Sequence, residues 1–187
     1  MSAVRDRMVA GAVKLLAQRG LQATSFSSVL AETSAPRGSI YHHFPGGKEE
    51  LVTAALEATQ AHALHLIDQD MGASAVEVTE SFLAAWRALL TYTDFAAGCA
   101  LVAVTVAAET EGLRLRAAEA FSAWQEKLAG ALQAGGLTVA TAAPTATLLL
   151  AATEGAVVIC RAAHDIGPFE VVAAQLVEHV RALAEAA

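Results

Sequence analysis

The sequence has few aromatic residues, few cysteines and prolines, and no excess of basic charge. Only 5% of its 187 residues are Phe, Trp or Tyr, with two cysteines and four prolines. Cys99 and Cys160 alone supply neither a disulfide framework nor four zinc ligands, so both are expected as small buried hydrophobes in a reducing cytoplasm. Twelve Lys and Arg against nineteen Asp and Glu leave a formal charge of −7. That balance excludes a uniformly basic nucleic-acid binder but not a local basic patch. Arg5, Asp6, Arg7, Lys14 and Arg19 punctuate the first turns, which speaks against a secretion signal. The apolar run 95–108 is shorter than the ~20 residues of a membrane span, so no membrane partner is expected. A Gly-rich phosphate loop after a strand, a nucleophile elbow and a paired-cysteine motif are all missing. No catalytic set, cofactor or metal is therefore expected.

What the chain does have is apolar surface: 55% of residues are hydrophobic, and their spacing is helical. Val4, Met8, Ala12 and Leu15 recur at three and four residues, as do Phe82, Trp86, Leu89 and Leu90, and later Leu113, Ala117, Phe121, Trp124 and Leu128. Gly20, Pro45-Gly46-Gly47, Gly72, Gly98, Gly112, Gly135-Gly136, Pro144 and Gly167-Pro168 fall between the stripes and break them. The pattern predicts an all-α fold of about nine helices. Charge divides unevenly along it. Residues 1–52 carry six basic against four acidic side chains, whereas residues 53–187 carry six against fifteen. A mildly positive head of this kind joined to an acidic body hints at nucleic-acid contact.

The head contains a segment with the chemistry for that contact. Ser25 is placed to cap a short helix whose Phe26, Val29 and Leu30 face back onto the first helix. A turn at Thr33-Ser34-Ala35 leads to Pro36, a residue suited to open a second short helix. Two short helices joined by a tight turn form a helix-turn-helix, whose second member lies in the DNA major groove. On it, Ile40 and Phe44 should pack inward. Arg37, Ser39, Tyr41, His42 and His43 are left to offer a guanidinium, hydroxyls and imidazoles to bases and phosphates. Gly38 lets backbone approach the duplex, and Lys48 opens the next helix where a phosphate is favoured.

The run Pro36-Arg37-Gly38-Ser39-Ile40-Tyr41-His42-His43-Phe44, followed by Pro-Gly-Gly-Lys-Glu-Glu-Leu, resembles the signature of the tetracycline-repressor (TetR) family of transcription regulators. The two-glycine spacer before Lys48 and Gly98-Cys99 are similar to its LmrA-like multidrug-efflux-repressor subgroup. The resemblance implies a homodimer that occupies a promoter until a small molecule binds its helical body. By position it places DNA contacts on Ser25, Ser27, Arg37, Gly38, Ser39, Tyr41, His42, His43 and Lys48. Two positions depart from the pattern. Phe26 replaces a hydroxyl or small aliphatic residue, and Ser34 replaces the glycine of the turn and must bear any positive φ.

These readings divide the chain into a helix-turn-helix DNA-binding domain, residues 1–50, and a helical effector-binding and dimerisation domain, residues 51–187. One head touches too few base pairs for specificity, so a two-fold dimer on a palindromic operator is expected. Its surface should be the last two helices, about 143–163 and 168–185. They carry Leu148, Leu149, Ala152, Ala156, Val157 and Ile159, then Val171, Val172, Leu176, Val180 and Leu183. Phe82, Trp86, Tyr92, Phe95, Phe121 and Trp124 are candidate lining for an apolar or aromatic effector, with Glu109 for a cationic one. His62, His65 and Asp68 have helical spacing that could present metal ligands, though a solvated polar face is the simpler reading. A small all-α enzyme and a helical interaction module without a DNA role stand as alternatives.

Overall fold

The computed structural model describes residues 3–187, and among them are nine α-helices and no strand: α1 (Ala3–Ala23), α2 (Phe26–Thr33), α3 (Ser39–His43), α4 (Gly47–Gln69), α5 (Ala75–Tyr92), α6 (Ala100–Thr105), α7 (Glu111–Ala134), α8 (Val139–Ala163) and α9 (Gly167–Glu185). They form two compact units, one of residues up to 61 with 99–121, the other of 62–98 with 122–187.

In the first unit α1 packs against α2, α3 and α6. Its stripe buries Met8, Ala12, Leu15 and Leu16, as the helical spacing requires. Gly11 is the point of closest approach to α2, because a Cβ there would lie 2.4 Å from the Thr33 methyl. Gly20 takes a positive φ of 80°, but α1 resumes beyond it for a final turn instead of ending there. The α2 N-terminus is closed reciprocally. Ser28 N–H donates to Ser25 Oγ at 3.2 Å, and Ser25 N–H donates to Ser28 Oγ at 2.8 Å. Ser34 does sit in the left-handed region at φ 51°. Ile40 and Phe44 are fully buried, so α3 is fixed on the unit by its inner face.

In the second unit α5, α8 and α9 pack against one another around Leu83, Leu90, Leu149, Val157, Phe169 and Val180, all buried. Gly135 admits the 73–75 backbone, since a Cβ there would lie 2.4 Å from the Ala75 nitrogen. By length and composition α8 could cross a membrane, a run that the sequence reading passes over. Its most apolar window is 44% buried and carries Ala142, Ala146, Leu149, Leu150, Ala156 and Val157 inward, as a core helix does.

The segment after α5 is strained. Asp94 and Phe95 both hold positive φ, 49° and 58°, although neither is glycine, and the Phe95 amide donates back to the Leu90 carbonyl at 2.8 Å. Arg161 on α8 grips this segment, donating to the carbonyls of Phe95 at 3.3 Å and Ala96 at 3.0 Å. The Phe95 ring meets the His164 ring edge-on at 4.9 Å.

The dimer residues expected from sequence need correction in part. Leu149, Ala156, Val157, Leu176 and Val180 are buried within the chain and cannot face a partner. Leu148, Ile159 and Val171 from the same set are exposed, and so is Val158, which was not in it. Cys99 and Cys160 are both buried, and burial pushes the Cys160 thiol above its ordinary value.

Candidate nucleic-acid interface

The predicted contact residues converge at α3 and the turn before it. Pro36 does not open the helix: its carbonyl accepts Ser39 N–H at 3.0 Å and the Ser39 hydroxyl at 2.7 Å. Arg37 and Gly38 therefore occupy the turn leading into α3, not its barrel. Arg37, Gly38, Tyr41 and His42 are exposed, while Ser39 and His43 are half-buried. Tyr41, which could have been core, is 68% exposed. The His42 and His43 rings lie 5.3 Å apart, tilted by 60°.

Gly38 is informative because the fold makes no demand for it. Its φ is −72°, which any residue adopts, and a Cβ there would meet nothing within 4 Å. A glycine that neither a turn nor packing requires, on an exposed polar face, leaves room for something outside the chain.

Two candidates are already partly engaged. The Ser25 hydroxyl caps α2 and shares a 2.9 Å hydrogen bond with Ser27. Lys48 donates from Nζ to the Leu21 carbonyl at 2.7 Å. An ammonium has three donors, so two remain for a phosphate. Phe26, expected against α1, is half-buried and meets the Tyr41 ring edge-on, with centroids 5.4 Å apart and planes at 77°. The available signal was the departure itself, an aromatic ring where the pattern has a hydroxyl or small aliphatic residue.

The effector candidates are not gathered in this way. Glu109 and Phe121 belong to the first unit and the other five to the second. Tyr92 is 93% exposed and lines no enclosed space. Glu109 is exposed and accepts Gln22 Nε2 at 2.7 Å, so its carboxylate is already used in tying down the end of α1. Trp124 is buried, whereas Phe82, Trp86, Phe95 and Phe121 are half-buried. A groove of about 540 Å³ between α5 and α9 instead involves Leu83, Ala84, Arg87, Glu170, Ala173 and Val177, none of which the sequence had singled out. Within it Arg87 binds Glu170 through two hydrogen bonds of 2.5 and 2.8 Å. This pairing holds the Glu170 carboxyl below its usual range.

The proposed metal trio is likewise dispersed. Asp68 pairs with Lys127 and His65 with Gln69, and no group of three metal-ligating side chains occurs among the described residues.

Comparison with known proteins identifies the family. Residues 8–55 match the bacterial regulatory proteins of the tetR family, and residues 75–175 match the LmrA/YxaF-like transcriptional regulator C-terminal domain. The chain belongs to the TetR family. The HTH-type transcriptional regulator Rv0196 of Mycobacterium tuberculosis (strain H37Rv) is 36% identical over 94% of this chain and 93% of that protein. The HTH-type regulator YxaF of Bacillus subtilis is 30% identical over 95% of both. Among solved structures, the regulatory protein TetR of Rhodobacter sphaeroides shares the fold, with a TM-score of 0.85 at 18% identity over 95% of this chain and 99% of that one. This TetR-family chain is thus a DNA-binding transcriptional regulator, and α2, the Ser34 turn and α3 are its helix-turn-helix.

Proposed function

We propose that this TetR-family regulator is a repressor, acting as a homodimer on a palindromic operator and released by a small-molecule effector in the cytoplasm. Residues 1–50 serve as its DNA-binding domain and residues 51–187 as its effector-binding and dimerisation domain. The observation that carries the reading is Gly38: exposed, free of steric demand, and next to the exposed Arg37. In this reading Arg37 reads a base edge. Ser39, Tyr41, His42 and His43 bind nearby bases and phosphates, Ser25 and Ser27 contribute hydroxyls, and Lys48 holds a phosphate with its free donors.

Dimerisation is supported by the outward stripe of α8, where Leu148, Ala151, Gly155, Val158, Ile159 and Ala162 are exposed and none is charged. Small residues in such a stripe let two helices approach closely, and Val171 on α9 adds to the apolar area. Within the second unit, Phe82, Trp86, Phe95 and Trp124 are proposed as candidate effector contacts, suited to an apolar or aromatic molecule. Its binding would act through α4, which begins at the Lys48 contact, and so alter the spacing of the two heads. Specific affinity needs both heads seated at once, so a small change in spacing weakens it.

A gel shift with duplex DNA from upstream of the chain's own gene tests the reading. Salt-sensitive binding to one palindromic site supports it, whereas sequence-independent binding rejects it. Light scattering at micromolar concentration should return twice the chain mass; a monomer would defeat the dimer. An effector that binds the protein yet leaves operator affinity unchanged would rule out release by ligand.

A further inference from the structure

The DNA face carries an apolar feature that phosphate binding does not explain. Tyr41 projects from α3 with two-thirds of its surface in water. The half-buried Phe26 ring stands against it at nearly a right angle, centroids 5.4 Å apart. Edge-to-face geometry is an attractive arrangement for two rings, so Phe26 restricts where the Tyr41 ring can point. The two residues come from different helices of the motif, and the same segment offers polar side chains, none of them buried: Ser25, Ser27, Arg37, Ser39 and His42. A ring exposed to the degree of Tyr41 stays in water until a partner covers it. In the major groove the apolar group available to do so is the 5-methyl of thymine, the one base-edge feature recognised by contact and not by a hydrogen bond.

We propose that Phe26 and Tyr41 together form a thymine-reading wedge, with Tyr41 in contact with the methyl group and Phe26 a positioning residue that sets the ring's direction. The inference rests on α3 as the reading helix and adds the identity of one base in each half-site. It also gives Phe26 a purpose beyond its place in the α2 stripe.

The test uses duplexes selected by the full-length protein from a random library, with each dT then replaced singly by dU to delete only the methyl. The wild-type protein should lose affinity about fourfold at one thymine per half-site, the worth of burying a single methyl group. Phe26→Leu keeps the burial of that position but removes the ring. It should bind dT and dU duplexes equally at that position while keeping its preferences elsewhere and its melting temperature. Tyr41→Ala should abolish the same discrimination, and the double variant should lose no more than Tyr41→Ala alone. Two results overturn the wedge while leaving DNA reading by α3 intact: tolerance of dU at every position by the wild type, or persistence of the penalty in Phe26→Leu. Failure of the selection to enrich any sequence would overturn both.

Discussion

The ammonium of Lys48, at the start of α4, donates to the Leu21 carbonyl at the end of α1, 27 residues earlier, over 2.7 Å. Lys48 therefore closes the tail of α1, in addition to the phosphate contact proposed for it. Lys48→Ala should lower the thermal midpoint by a few degrees, consistent with loss of one charge-assisted hydrogen bond of about 1 kcal/mol at a partly exposed site. It should also reduce the salt dependence of operator affinity by about one unit. A drop in stability with an unchanged salt slope would assign Lys48 to structure alone.

Gly38→Ala separates folding from recognition. The backbone there is already helical and the space open, so the variant should be as stable as the parent or more stable by about 0.4–1 kcal/mol. Operator affinity should nevertheless fall at least tenfold, because the added methyl holds the backbone away from the duplex. Thermal melts and gel shifts on the same preparation decide it. Unchanged affinity would refute close approach.

Arg37→Ala should weaken operator binding by roughly 1–3 kcal/mol and relax the preference at one base pair, with the fold undisturbed. Affinity measured across a panel of single-base operator changes is the readout. A uniform loss at all sequences would make Arg37 a phosphate contact.

Two glycines in the body should respond oppositely to alanine. At Gly135 the new Cβ would press on the backbone of Ala73, Ser74 and Ala75, and Gly135→Ala should destabilise the chain. At Gly130, inside α7 with nothing within 4 Å, alanine removes backbone freedom from the unfolded chain and should stabilise by about 0.5–1 kcal/mol. Chemical denaturation of the two variants measures the difference.

The pairing of Glu170 with Arg87 predicts a pH dependence. Hydrogen bonds from Arg87 depress the folded-state pKa of Glu170 below the ordinary carboxylate value. The stabilisation is then present above that ordinary value and lost as pH falls through the depressed one. Glu170→Gln should be less stable than the parent at pH 7, by less than about 1 kcal/mol because both groups are substantially exposed. The difference should vanish in strong acid. A gap that widened on acidification would reverse the assignment.

Features set by neighbours along the chain were the most legible in the sequence. Ser25 as a cap and Ile40 with Phe44 turned inward follow from spacing within a few residues, and Ser34 in the left-handed region from the resemblance to a pattern with glycine there. Contacts between elements were not legible. Nothing in the sequence tells that Phe26 meets Tyr41, or that Lys48 reaches Leu21. The apolar residues of α8 illustrate the limit further. Leu148 and Leu149 are chemically identical neighbours, yet one is exposed and the other buried, and only the packing of α9 and α5 decides which. The aromatic residues offered as effector lining suffered from the same ambiguity, since hydrophobicity alone does not separate Trp124 in the core from Tyr92 in water.

Asp94 and Phe95 form two consecutive left-handed residues outside glycine, each disfavoured by about 1–2 kcal/mol, and the Arg161 guanidinium is bonded across the carbonyls that this geometry presents. Withdrawing the guanidinium, as in Arg161→Ala, would leave two left-handed residues without the bonds that hold their carbonyls. Proton exchange at the Phe95 amide, now closed onto Leu90, should then quicken; unaltered protection in Arg161→Ala would show that the guanidinium does not hold the stretch.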